Sequence, residues 1–215
     1  MGVTESSVKW ATYIDGFNFY QAVKDRLPDD QLYLGWCDFA KLSDHIIRGR
    51  GELRAIKYFT AFVDEFPKHE REPHRQDVWL RAVKTTRCLS VIEGFFIGER
   101  RGTVATRRSE KATDVNIAVT LLLDALTHVY DRAILITGDY DQMPAVAAVA
   151  NELYKIVDVW IPPGQEAGRW NDFSDHPRVA INRLTVELLR RSRLPDSLSD
   201  AQGRIEPPQE WRSSH

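Results

Sequence analysis

The chain has 215 residues, 43% of them hydrophobic and 28% charged, with a formal net charge of −2. That length buries a full core and that balance excludes wholesale disorder and a globally basic coat, so any anion-binding surface must be local. Cys37 and Cys88 are too few for a disulfide framework, Met1 to Ser7 lacks the parts of a signal peptide, and no apolar run approaches the roughly 20 residues of a membrane span, so a cytoplasmic protein without membrane attachment is expected.

Lys9 to Ile14 reads as a short strand ending on Asp15-Gly16-Phe17-Asn18, and Phe19 to Lys24 then has helical spacing up to Pro28-Asp29-Asp30. Trp36 to Arg48 sets Phe39, Leu42, Ile46 and Ile47 behind Asp38 as an amphipathic helix closed by Gly49 and Gly51. Arg54 to Val63, rich in aromatic and β-branched residues, is a second strand. Asp64 to Arg75 reads as a loop with His69 and His74 facing solvent, and Gln76 to Arg87 resumes a helical pattern.

Ser90 to Gly98 is a strand, with Arg100-Arg101-Gly102 as the tip of a hairpin whose return arm is Thr103 to Arg108. Asp114 to Val129 has the clearest helical pattern, with Val115, Ala118, Leu122 and Ala125 on one stripe, Leu121 and Leu126 widening it, and Thr113 or Asp114 as N-cap. Ala133 to Thr137 is a continuous apolar strand, Pro144 to Leu153 a small-residue helix, and Lys155 to Ile161 the last strand. Val179 to Arg193 reads as a helical, Arg-rich stretch. From 196 to 215 large hydrophobes thin out, and a flexible tail is expected. This organisation predicts one domain over 1–195, with a core at 9–165, a basic hairpin at about 95–109 and a C-terminal extension at 166–195. The alternation of strands and helices predicts an α/β fold, a mostly parallel central sheet with helices on both faces.

In such a sheet, ligands gather beyond the carboxyl ends of the strands. Asp139 and Asp141 follow the 133–137 strand there, and Asp15 ends the first strand. Asp114 joins them only if its helix begins on the same rim. Any one of these acids alone is an ordinary helix cap. Together they are hard oxygen ligands suited to Mg²⁺ or Mn²⁺, because two carboxylates about 4 Å apart repel by ~4 kcal/mol at an effective dielectric of about 20, which a bound cation reverses. Zinc is disfavoured, since the six histidines are scattered without ligand spacing.

Three ordered blocks, Ile14-Asp15-Gly16-Phe17-Asn18-Phe19-Tyr20, Glu110-Lys111-Ala112-Thr113-Asp114-Val115-Asn116 and Ile136-Thr137-Gly138-Asp139-Tyr140-Asp141, resemble the signature blocks of the NYN domain family of PIN-like ribonucleases over about residues 9–165. The resemblance implies a PIN-like three-layer α/β/α sandwich and metal-dependent hydrolysis of RNA, with endonucleolytic cleavage expected. It implies Asp15, Asp114, Asp139 and Asp141 as the acids of a Mg²⁺ or Mn²⁺ site, with Asn18 orienting ligand or substrate. The family's third block commonly reads Ser-Gly-Asp-Ser-Asp-Phe, whereas Tyr140 and Gln142 stand here in its variable positions.

Arg100, Arg101, Arg107, Arg108 and Lys111 face only Glu99 and Glu110, a local excess of three positive charges in a net acidic chain. A basic hairpin leading into Asp114 would guide the phosphate backbone of single-stranded or structured RNA. Lys111 could also neutralise a phosphate oxygen or leaving group. Phe17, Tyr20 and Tyr140 are candidates to stack unpaired bases. The alternative is a catalytically inactive RNA-binding or protein-interaction regulator with the same fold; the sequence is compatible with a homo-oligomer. A phosphatase of the haloacid dehalogenase type, suggested by Ile14-Asp15-Gly16, is disfavoured because position 17 is Phe where a second Asp is needed.

Overall fold

The computed structural model describes residues 7–61, 71–101 and 104–212, with backbone alone at 71–73 and 95–111. Strand β1 (Lys9–Asp15) is buried from Trp10 onward. A strand covered on both faces needs no alternation of polar and apolar residues, and this one has little. It lies between β2 (Glu52–Ala61) and β5 (Arg132–Ile136), parallel to both. β3 (Leu89–Arg101) extends the sheet past β2, and β6 (Ile156–Ile161) and β7 (Val179–Arg183) extend it past β5, all parallel. β4 (Val104–Lys111) closes one edge antiparallel to β3, which gives the order β4-β3-β2-β1-β5-β6-β7.

Successive residues of each central strand feed two cores. Trp10, Ile14, Ile56, Ile134 and Ile136 pack with α1 (Gly16–Arg26), α2 (Phe39–Ile47) and α3 (Arg71–Lys84). Ala11, Tyr13, Phe59, Ala133 and Leu135 pack with α4 (Thr113–Leu126) and α5 (Met143–Asn151) on the other face. The predicted α/β fold with helices on both faces is therefore present. Among the described residues no helix is long and apolar enough to cross a membrane.

Two features bring the candidate residues to one rim. The chain winds outward from β1 through β2 to β3, then returns to β5 on the other side of β1, so the β1–β5 crevice is the switch point where open α/β sheets hold ligands. The pairing of β3 with β2 ends at Gly94 opposite Ala61, and the next residue, Phe95, pairs with Lys111 of β4. The hairpin thus projects beyond the carboxyl rim, and β4 carries the chain back to it. There Ala112, in the left-handed region at φ 71°, turns the backbone into α4. Asp114 starts its helix on the rim for this reason.

Several local expectations are corrected. The N-cap of α4 is Ala112, not Thr113 or Asp114, because the left-handed turn makes Thr113 the first helical residue. The buried stripe of α4 is Ile117, Leu121 and Ala125, while Val115 is 62% exposed; a helix apolar nearly all round does not fix its own rotation from sequence. Val179–Arg183 is strand β7 rather than helix, since Val179 and Ile181 alternate toward the second core, and the helix α6 is confined to Val186–Arg191. α3 begins at Arg71, inside the expected loop, with Pro73 in the first turn where its missing N–H costs nothing. His74 is exposed on that helix; His69, Gly102 and Thr103 lie outside the described residues.

Residues 196–212, expected to be flexible, are folded onto the domain. β8 (Leu198–Asp200) and β9 (Gly203–Ile205) form a hairpin that Asp200 ties to Arg81 of α3 through two bonds of 2.7 and 2.8 Å. Ile205 is buried, and Trp211 is only 9% exposed against Trp36 and Trp79. Two anchors outweigh the polar composition around them, because an aromatic ring buries so much area.

Candidate metal centre

Asp15 ends β1 and caps α1. It is 4% exposed, and its Oδ1 accepts the Asn18 N–H at 3.0 Å while its Oδ2 accepts the Thr137 hydroxyl at 2.9 Å. The Thr137 oxygen in turn accepts the Asp139 N–H at 3.0 Å. Asn18 Oδ1 accepts the Gly138 N–H at 2.8 Å, so the first turn of α1 is bolted twice to the turn after β5. Asp139 then caps the next turn, its Oδ1 accepting the Asp141 N–H at 2.9 Å. Apart from the Thr137 hydroxyl, the donors are backbone N–H groups that a strand-to-helix turn would otherwise leave unpaired.

From across the crevice, α4 presents Asp114. The buried side chain of Gln142 donates to the Asp114 carbonyl at 3.2 Å and ties the start of α4 to the Asp139 turn. Carboxylate oxygens of Asp114, Asp139 and Asp141 lie within 4.8 Å of one another. Burial, and then the negative charges of Asp139 and Asp141, raise the Asp114 carboxyl above the ordinary carboxylate range. The donors are hard oxygens without imidazole or thiolate, which fits Mg²⁺ or Mn²⁺.

The structure therefore brings together Asp114, Asp139 and Asp141, with Asn18 one hydrogen bond away. Asp15 stands behind this group, joined to it through Thr137 instead of sharing its oxygen cluster. Arg100, Arg101, Arg107 and Arg108 occupy the projecting hairpin, where Gly98 pairs with Arg108 and Glu99 with Arg107 before a bulge. Lys111 sits at the base of that hairpin, one residue before the turn into α4. Tyr140 follows Asp139 in the turn after β5. It is half-buried against the second core, with its hydroxyl over Gly168, where an added Cβ would lie 1.9 Å from it. Packing holds this ring because Gly168 leaves it the space.

Thr137 and Gln142 were missed as positioning residues. Thr137 carried a faint signal, a hydroxyl directly before Gly-Asp at a strand end. Gln142 carried none, since a glutamine in a polar turn gives no hint of complete burial. Asp124, also on α4, is structural: it accepts from the Tyr13 hydroxyl at 2.6 Å and pairs with Lys57 at 2.6 Å. Burial and then this carboxylate hold the Tyr13 phenol far above its ordinary range.

Comparison with known proteins adds three findings. The family model described as NYN domain matches residues 9–175. A Pseudomonas putida protein named 6-hydroxy-3-succinoylpyridine 3-monooxygenase HspA is 27% identical over 187 residues, covering 70% of this chain and 58% of that protein. This chain thus spans little more than half the length of that curated relative. The crystal structure of a Vibrio parahaemolyticus protein of unknown function superposes with a TM-score of 0.51 at 20% identity, over 86% of this chain and 97% of that one, a likeness of fold.

Proposed function

Because this chain belongs to the NYN domain family, a PIN-like nuclease fold, we propose that it hydrolyses RNA phosphodiester bonds at a divalent-cation site held by Asp114, Asp139 and Asp141. The observation that carries this is the approach of Asp114 from α4 to Asp139 and Asp141 of the turn after β5, which brings the three carboxylates within 4.8 Å on the sheet's carboxyl rim. Such a repulsive group is stabilised by Mg²⁺ or Mn²⁺, which when bound would lower the pKa of water and neutralise a phosphate.

The chain's own residues divide the remaining work. Asp139 is fixed by the turn it caps and Asp141 is carried within that turn, while Asp15 acts as a positioning residue that holds Thr137 and, through it, the backbone of Asp139. Asn18 locks Gly138, which keeps the turn close to α1. The basic hairpin, with Arg100, Arg101, Arg107, Arg108 and Lys111, guides the phosphate backbone toward the rim.

The test is a labelled pool of RNAs incubated in Mg²⁺ or Mn²⁺ and in EDTA, with the wild-type chain and Asp139→Asn. Product that forms only with the ion and only with wild type supports the reading; cleavage that persists in EDTA or in the variant overturns it. RNA retained on the protein without product under Mn²⁺ supports the regulator that keeps the fold without turnover. The Pseudomonas relative is named a monooxygenase of a succinoylpyridine, so a free pyridine carboxylate is the small ligand to compare with RNA.

A further inference from the structure

Behind the first turn of α1 lies a cavity that the acidic rim does not use. It encloses about 260 Å³ between α1, the carboxyl end of β2, α3 and the C-terminal turn, and five aromatic rings line it: Phe17, Tyr20, Tyr58, Trp79 and Trp211. These come from four separate parts of the chain. Within the wall Trp79 Nε1 donates to the Tyr58 hydroxyl at 2.9 Å, and the Trp79 and Trp211 rings meet edge to face at 5.6 Å. Phe17 nevertheless stays 39% exposed at the mouth.

The volume falls just under the roughly 300 Å³ at which sites for drug-sized ligands begin, so it suits one planar ring system. Its two cations are engaged: Arg75 is paired with Glu210 at 2.8 Å, and Lys24 lies over the Tyr20 ring, 5.6 Å from its centroid. Such a cavity does not select a small anion; it offers π-faces to a neutral ring, with Gln21 and Thr60 as polar groups for its edge. It is linked to the metal centre along the chain. Phe17 neighbours Asn18, whose side chain holds Gly138 at 2.8 Å, next to Asp139.

We infer that this cavity binds a base of single-stranded RNA beside the bond presented to the acidic rim. The inference rests on the RNA-hydrolase reading above for the identity of its ligand. A paired duplex keeps its bases stacked inside, whereas an unpaired one can be splayed into an aromatic site.

The test titrates a fluorescent single-stranded oligoribonucleotide and its abasic counterpart of equal length, both in EDTA so that binding is separated from cleavage. Wild type should prefer the base-bearing strand. Phe17→Ala should lose about 5- to 150-fold in affinity for that strand, the range for one base–aromatic stack, and leave the abasic strand unaffected. Gln21→Trp, which fills the cavity from an exposed position, should give the same pattern, and thermal melting checks that both variants fold. Equal binding of the two strands by wild type, or equal losses on both in Phe17→Ala, overturns the inference. So does a free pyridine carboxylate that binds the cavity and is not displaced by the oligonucleotide. Asp139→Asn separates the two readings: it should retain the base preference while losing cleavage. If cleavage follows the predicted pattern while Phe17→Ala binds normally, only the cavity inference fails. If no cleavage is seen but the base preference and its loss in Phe17→Ala hold, only the hydrolase reading fails.

Discussion

The hydroxyl of Thr137 donates to the buried carboxylate of Asp15 at 2.9 Å and accepts the N–H of Asp139 at 3.0 Å. One side chain thus links the end of β1 to the turn that carries the acids. Thr137→Val keeps the shape and removes both bonds, leaving a buried carboxylate short of a partner. We expect a loss of about 1–3 kcal/mol in stability, with weaker Mn²⁺ binding. Thr137→Ser should restore both, as read by urea unfolding and calorimetric titration with Mn²⁺; a Val variant that binds Mn²⁺ normally would contradict this role.

Gly16 is required by space. A Cβ there would lie 2.5 Å from the Tyr58 ring and 2.6 Å from the Phe59 carbonyl, and a backbone carbonyl cannot swing aside. Gly16→Ala should therefore push α1 off β2 at a cost of about 1–3 kcal/mol, visible as a lower urea midpoint. An unchanged midpoint would show that the two elements can separate freely.

Asp114 bears the electrostatic cost of the centre. Its carboxyl is raised by burial and then by Asp139 and Asp141, so the fold favours its protonated form. That contribution is complete below the ordinary carboxylate pKa and is lost as pH rises through the raised value. Asp114→Asn should accordingly raise the melting temperature of the metal-free protein at neutral pH. It should also abolish the rise that Mn²⁺ gives wild type, which at a hundredfold excess over Kd corresponds to about 2.7 kcal/mol. Mn²⁺ affinity in wild type should decline as pH falls toward the raised value. A metal-free Asn variant less stable than wild type would speak against the repulsion.

The C-terminal hairpin should be acid-labile. The Arg81 guanidinium lowers the Asp200 carboxyl to about 2 from an ordinary 3.8. Its stabilisation is present above the ordinary value and lost as pH falls through about 2. Hydrogen exchange at 198–205 should speed up between these limits in wild type, and Asp200→Asn should exchange fast and without that pH dependence.

Elements whose chemistry is local were legible in the sequence. β1 and β5 are continuous apolar runs ending in Asp-Gly and Thr-Gly-Asp, and Asp38 caps α2 as its position suggests. Residues whose role depends on distant register were not. Asp114 reaches the rim because Phe95 pairs with Lys111, a fact about two strands rather than one. Tyr140 packs against the second core because Gly168, far along the chain, makes room for its hydroxyl. Trp211 is a core residue in a polar stretch because Trp36 and Trp79 wait for it.

The antiparallel return of β4 separates the length of the hairpin from the position of α4. Its pairing is fixed at the base by Phe95 and Lys111, while the outer part already absorbs a bulge between Glu99 and Arg100. Residues can therefore be gained or lost in matched pairs, one on each arm, without shifting where α4 begins. Reach toward a substrate becomes an adjustable dimension, and the placement of Asp114 stays constant while it is adjusted.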